Sequence, residues 1–151
     1  MYDDILIPTD GSNVAENAID HAIDLAKRHD ATLHALYVVD VDAVDLSLGT
    51  EQVQRIKDGQ FDEMTELKAL ATGAIQTVTD RASDDLEVVE AIQAGQPHRR
   101  IRDYVESEGI DAVVMGSAGR SGVRRALLGS VAERTIRNVT VPVMIVDARE
   151  E

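Results

Sequence analysis

Cysteine is absent from the 151 residues. That one absence excludes disulfide staples, thiolate metal sites and cysteine nucleophiles. Lysine is scarce: Lys27, Lys57 and Lys68 stand against twelve arginines and 28 acidic residues. The lysine-bearing phosphate loop G-x-x-x-x-G-K-[ST] is missing, and no lysine follows Lys68. No apolar run approaches the roughly 18 residues that suggest a membrane-spanning helix. The opening Met1-Tyr2-Asp3-Asp4 is acidic and leads into no signal-like pattern, so a soluble, cytoplasmic protein with no membrane partner is expected. Net charge is −13. That argues against nucleic acid and anionic lipid as partners. Few lysines among many acids is what adaptation to high salt produces, where screening relieves self-repulsion. It also fits an ordinary acidic cytosolic protein.

What positive charge there is clusters. Arg120, Arg124, Arg125, Arg134 and Arg137 lie between positions 116 and 140, where Glu133 is the sole acid. Arginines around a loop there would attract an anion. Arg134 and Arg137, farther along a helix, are expected to pair with surface acids instead.

The length suits one domain over residues 1–151, with no internal repeat. Apolar runs alternate with helical patterns throughout. Ile5-Leu6-Ile7 is a short buried strand ending at Pro8. A helix capped by Ser12 or Asn13 runs to about Arg28, with Val14, Ala18, Ala22 and Leu25 as its stripe, widened by Ala15, Ile19 and Ala26. Thr32 to Val39 reads as a strand and Asp40 to Thr50 as a loop. Gln52 to Arg81 reads as a long helix, with Val53, Ile56, Met64, Leu67, Leu70, Ala71, Ala74, Ile75 and Val78 inward and Gly59 and Gly73 as weak points. Leu86 to Ala91 is a third strand. Pro97 opens a helix that carries Ile101, Tyr104 and Val105 and ends near Gly109. Ala112 to Met115 is a fourth strand. Ser130 with Glu133 three residues on reads as a capping box for a helix with Val131, Thr135 and Ile136 inward and Asn138 as its stop. Val141 to Val146 is a fifth strand, with Pro142 tolerable near its start.

Apolar strands separated by helices predict an α/β fold: a parallel sheet covered on both faces, three layers, doubly wound by right-handed crossovers. Ligands in such folds sit beyond the carboxyl ends of the strands, where the strand order reverses. Asp10 after strand one and Gly116 after strand four would then line one crevice. Between strand four and its helix lies Gly116-Ser117-Ala118-Gly119, followed after nine residues by Gly129-Ser130. A glycine-bearing loop at a helix N-terminus offers backbone N–H groups to an anion, which points to a phosphate-bearing ligand.

Other signatures fail. The first turn, Thr9-Asp10-Gly11-Ser12, lacks the dinucleotide G-x-G-x-x-G. Gly119-Arg120-Ser121-Gly122 is no nucleophile elbow. His21, His29, His34 and His98 make no H-x-x-x-H pair and read as surface or structural. Asp40, Asp42 and Asp45 miss the calcium-loop spacing, because Val44 stands where an oxygen ligand is needed. No catalytic residue is singled out.

With these segments in view, the chain resembles the universal stress protein family over nearly its whole length. The carriers are Ile5 to Ser12, Leu36 to Asp40, Met115 to Gly122, Leu127 to Glu133 and Pro142 to Val146. G-x-x-G, nine residues, then G-[ST] resembles the family's ATP-binding branch. The resemblance implies an adenine-nucleotide alpha hydrolase-like sheet of strand order 3-2-1-4-5. It implies that Asp10 bonds the ribose hydroxyls, that Pro8 and Thr9 wall the nucleoside pocket, that Val38 reads the adenine edge through its backbone, and that Met115 borders base and ribose. Gly116, Gly119, Gly129, Ser130 and Val131 would cradle the phosphates. Each position has a plainer reading: Asp10 and Ser130 as helix caps, Gly119 and Gly122 as loop glycines, Val38 as core. Where many relatives carry His after the Gly-Ser pair, this chain has Ala118.

The expectation is an ATP-binding regulator of the stress response, with AMP or ADP as alternative ligands, slow or no hydrolysis, and Mg2+ or Mn2+ carried on the phosphates. An ATPase or nucleotidyl transferase on the same fold, and a protein-interaction module that binds no nucleotide, are the competing readings. The apolar run Val141 to Val146 at a sheet edge predicts homodimerisation there. The sequence names no protein partner.

Overall fold

Ile5, Leu6 and Ile7 have no solvent exposure at all, because the strand that carries them is the middle of the sheet. The computed structural model describes residues 2–9, 13–40, 65–117 and 128–147. Its elements are β1 (Asp4–Pro8), α1 (Asn13–His29), β2 (Thr32–Asp40), α2 (Thr65–Arg81), β3 (Val88–Gly95), α3 (Pro97–Glu108), β4 (Ala112–Gly116), α4 (Ser130–Asn138) and β5 (Val143–Val146). The sheet is wholly parallel, in the order β3-β2-β1-β4-β5. This is the doubly wound fold that the sequence predicts, with the strand order that the family resemblance implies.

The period of two along each strand sorts the side chains into two cores. Ile5 and Ile7 of β1, with Leu33, Ala35, Tyr37 and Val39 of β2, pack against Ala18, Ile19, Ala22 and Ala26 of α1 and Ala71, Ala74, Ile75 and Val78 of α2. Leu6, Leu36, Val113 and Met115 point the other way, onto Ile101, Tyr104 and Val105 of α3 and Ala132 of α4. Helices therefore cover both faces. Each fully buried Leu or Ile stabilises this arrangement by about 1.5–3 kcal/mol relative to exposure.

α3 is delimited as its sequence suggests. Pro97 stands in the first turn, and Gly109 ends the helix at φ 65 with its N–H donated to the Val105 carbonyl. That left-handed conformation is cheap for glycine alone.

Several boundaries and faces differ from expectation. β3 runs from Val88 to Gly95 rather than from Leu86 to Ala91, because it pairs with β2 as far as Asp40 and Gly95. β5 begins at Val143, since Val141 and Pro142 precede its ladder with β4. Leu70 is 44% exposed, because the inward stripe of α2 is Ala71, Ala74, Ile75 and Val78. Ile136 is 43% exposed, because α4 turns Val131, Ala132 and Thr135 inward and Ile136 falls outside that stripe. α4 has no capping box. Gly129 is its N-cap, with extended backbone and no side-chain cap bond, and Ser130 is already the first helical residue. Residues 41–64 lie outside the described residues, so the loop to Thr50, the helix between 52 and 64 and the inward positions Val53, Ile56 and Met64 are not placed. The side chains of Val14, Ala15 and Leu67 are likewise outside them.

The amino-terminal end of the sheet is tied by polar contacts. Asp111 Oδ2 accepts from the backbone N–H groups of Asp3 and Asp4, at 2.9 and 3.0 Å. Buried His34 bridges Asp4 Oδ1, 2.9 Å from Nε2, and the Tyr104 hydroxyl, 2.8 Å from Nδ1. His34 is thus a structural histidine, as expected of a lone histidine in an apolar strand.

Candidate functional site

β1 and β4 are hydrogen-bonded neighbours, with Leu6 beside Val113. The chain reaches β2 from one side of β1 and β5 from the far side of β4, so the order reverses between β1 and β4. Their carboxyl ends, Pro8 and Gly116, therefore flank the crevice where such sheets take ligands.

The residues singled out from the sequence fall around this point. Pro8 closes β1 beside Leu36. Thr9 is buried, and its N–H donates to the Leu36 carbonyl at 2.9 Å. Val38 continues β2 past the end of β1, paired with Gln93 of β3, and packs half-buried against the second core. Met115 is buried in that same core, and Val131 of α4 packs against it. Gly116 ends β4 opposite Val146. So Val38, Met115 and Val131, from three elements, share the face covered by α3 and α4. Asp10, Gly119, Gly122, Ala118, Arg120, Arg124 and Arg125 lie outside the described residues.

The start of α4 supplies donors. Gly129 is buried and turns its own N–H back onto the Ser117 carbonyl at 2.7 Å. The first bond of the helix runs from Glu133 N–H to Gly129 carbonyl, at 3.0 Å. The amides of Ser130, Val131 and Ala132 are therefore the orphan donors of the first turn. The cradle expected of Gly129, Ser130 and Val131 shifts by one: Gly129 fixes the turn, and the donors begin at Ser130. The Ser130 side chain is exposed, which leaves its hydroxyl accessible to solvent or a ligand. Partial positive charge at a helix N-terminus adds to the attraction for an anion. These groups fit a phosphate.

Charge near α4 is mixed. Arg137 pairs with Glu133 at 3.6 Å along the helix, as expected of a helix-face arginine. Arg134 acts differently. With burial as the larger cause, it joins Arg99 and Arg102 in holding His98 below the ordinary imidazole range. Among the described residues no cluster of three or more His, Cys, Asp or Glu side chains is placed to hold a metal ion.

Sequence reasoning missed Ser117 and Asp147. Ser117, 7% exposed, donates its hydroxyl to Asp147 Oδ1 at 3.0 Å. The Asp147 carbonyl in turn accepts from Asn17 Nδ2 at 2.9 Å. Ser117 sits inside the glycine motif, but nothing in the spacing says that its hydroxyl turns toward the end of β5, thirty residues on.

Comparisons with known proteins bear on this arrangement. The model of the universal stress protein family matches residues 1–147. The universal stress protein MJ0531 of Methanocaldococcus jannaschii is 37% identical over 148 residues, covering 97% of this chain and 82% of that protein. The solved structure of MJ0577, from the same organism, superposes with a TM-score of 0.78 at 28% identity, over 100% of this chain and 99% of that one. A universal stress protein from Archaeoglobus fulgidus in complex with dAMP shares the fold, with a TM-score of 0.64 at 20% identity over 96% of this chain and 98% of that one. A universal stress protein in complex with cAMP shares it at 0.66, also at 20% identity, over 97% of each chain. No described helix is long and apolar enough to cross a membrane.

Proposed function

The chain belongs to the universal stress protein family, and on that premise we propose that it binds an adenine nucleotide, ATP before AMP or ADP, as a regulatory ligand. The observation that carries this reading is the bond that holds the α4 N-terminus to Ser117 at the carboxyl end of β4, the strand beside β1. Orphan amides, an exposed serine hydroxyl and the reversal of strand order there converge on a place for phosphates. Relatives of this fold solved with dAMP and cAMP support an adenine ligand.

In this reading the base lies over β2 against the Val38 backbone, bordered by Met115, with Pro8 and Thr9 as walls. Asp10 holds the ribose. Gly116 and Gly119 allow close approach of the loop, and Ser130 and Val131 donate to the phosphates while Gly129 holds the turn. Mg2+ or Mn2+ would neutralise phosphate charge. Hydrolysis is slow or nil, since no lysine follows Lys68 to stabilise a transferring phosphoryl group. The protein acts through its bound state, as a homodimer joined along β5.

The test is mass spectrometry of small molecules released from protein purified in high salt, with calorimetric ATP titration of the stripped form. Adenine nucleotide near one per chain supports the reading. Ser130→Ala, at an exposed side chain, should weaken ATP binding about tenfold, the scale of one hydrogen bond to a charged group. Gly129→Val should abolish binding. No nucleotide and no heat at several salt concentrations would overturn the proposal in favour of a protein-interaction module. Rapid turnover lost with Asp10→Ala would favour an ATPase.

A further inference from the structure

Every polar group of Ser117 is engaged. Its N–H donates to the Val146 carbonyl at 2.9 Å, its carbonyl accepts from Gly129 N–H at 2.7 Å, and its hydroxyl donates to Asp147 Oδ1 at 3.0 Å. Val146 is the last residue of β5, and Asp147 follows it. Gly129 is the N-cap of α4. Asp147 also receives the Asn17 amide, from the first turns of α1. Both helices that open at the ligand crevice, α1 after β1 and α4 after the glycine loop, are thus fastened to one short stretch at the exit of β5.

β5 is also one of the two edge strands, β3 being the other. It pairs with β4 alone among the described strands, and Met144 on it is 42% exposed. Leu128 and Ile136, just before and within α4, are exposed to a similar degree. A buried residue therefore stands between the start of α4 and the edge strand, with bonds to both.

We propose that the Ser117–Asp147 hydrogen bond links occupancy of the crevice to pairing of β5 with a second copy of the chain. The proposal rests on the nucleotide reading above and adds a regulation to it. A phosphate drawn to the orphan amides pulls on the first turn of α4 and hence on Gly129. Gly129 is bonded to Ser117, so the displacement reaches Val146 and Asp147 and fixes the end of β5 against β4. A fixed edge pairs better than a loose one. By reciprocity, pairing of the edge then tightens nucleotide binding by the same factor. Ser117 and Asp147 are positioning residues in this scheme. A mere fastener would alter stability and leave the linkage intact.

The experiment measures the dimer dissociation constant by sedimentation, with and without saturating ATP, and ATP affinity by calorimetry. Wild-type protein should dimerise about tenfold more tightly with ATP, within the usual range of such coupling. Ser117→Ala and Asp147→Ala should still bind ATP and still dimerise, with the ATP effect reduced to less than about twofold. Asp147→Asn keeps an oxygen to accept from Ser117 and should retain the wild-type linkage. If Ser117→Ala does not fold, half-buried Asp147 carries the test. An unchanged ATP effect in the alanine variants overturns the proposal. So does a wild-type protein that binds ATP and dimerises with no linkage between the two. Wild-type protein that binds no ATP overturns the nucleotide reading itself, an outcome that the calorimetry distinguishes.

Discussion

The Tyr104 hydroxyl lies 2.8 Å from Nδ1 of His34, and the two rings meet edge to face with centroids 5.6 Å apart. Nε2 on the other side of the imidazole is 2.9 Å from Asp4. With Nε2–H donating to the carboxylate and Nδ1 accepting from the tyrosine, a neutral ring satisfies both nitrogens. The chain Tyr104–His34–Asp4 joins α3, β2 and β1 at the end of the sheet opposite the crevice.

Tyr104→Phe keeps the ring contact and removes the one donor to Nδ1. A buried acceptor left unpaired costs about 1–3 kcal/mol. Urea unfolding should show that loss with an unchanged slope, and ATP binding should be unaffected because the crevice lies at the other end. A variant as stable as wild type would mean that Nδ1 finds a partner elsewhere.

His98 gives the stability a pH dependence of definite sign. Burial first, and then Arg134, Arg99 and Arg102, hold its pKa below the ordinary value of 6.5. As pH falls through about 6.5 the unfolded chain takes up this proton before the folded one does. Stability is therefore lost below that point, down to the folded pKa, and is unaffected above it. Thermal midpoints of wild type and His98→Gln, compared from pH 8 to pH 5, should diverge below about 6.5 with wild type falling faster. Parallel curves would show that the ring is not depressed.

Met144 projects from the edge strand largely outside the cores. On the proposal that β5 pairs with a second copy, Met144→Glu should yield monomers at concentrations where wild type dimerises, measured by sedimentation. Stability of the isolated fold should change by no more than about 0.5 kcal/mol, as surface substitutions do. A dimer that survives the charge would place the interface elsewhere.

Thr135 is fully buried on α4, and its hydroxyl has no hydrogen-bond partner among the described residues. Thr135→Val preserves the branched shape and removes an unpaired polar atom. A gain of about 1 kcal/mol is expected, read as a raised calorimetric midpoint. A lowered midpoint would mean that the hydroxyl is used after all.

The order of elements was legible because it rests on periodicity. Ile5-Leu6-Ile7 and Ala112 to Met115 are apolar without alternation, as strands buried on both faces must be. The ends of elements were less legible, because they answer to partners far away in the chain. β3 extends to Gly95 because β2 offers a ladder as far as Asp40. Ser130 followed by Glu133 has the letters of a capping box, yet the cap is Gly129, held by a carbonyl twelve residues earlier. The side chain of Ser117 shows the limit most plainly. Its partner Asp147 lies beyond the following helix and strand, and no local pattern connects the two.

The strand order also has a consequence for synthesis. β1 is made first, yet it is central, and its second neighbour β4 begins only at Ala112. At translation rates of about 5–20 residues per second, about 5–20 seconds separate the two. In the last part of that interval, after β3 is complete at Gly95, a three-stranded piece, β3-β2-β1, would present the backbone of Ile5 and Leu6 along an open edge. That edge is closed only when Ala112 and Val113 of β4 pair with it. A chain truncated between α3 and β4 should therefore be kept apart from its copies by something other than its own fold, and a nascent chain paused there is where a chaperone would matter most.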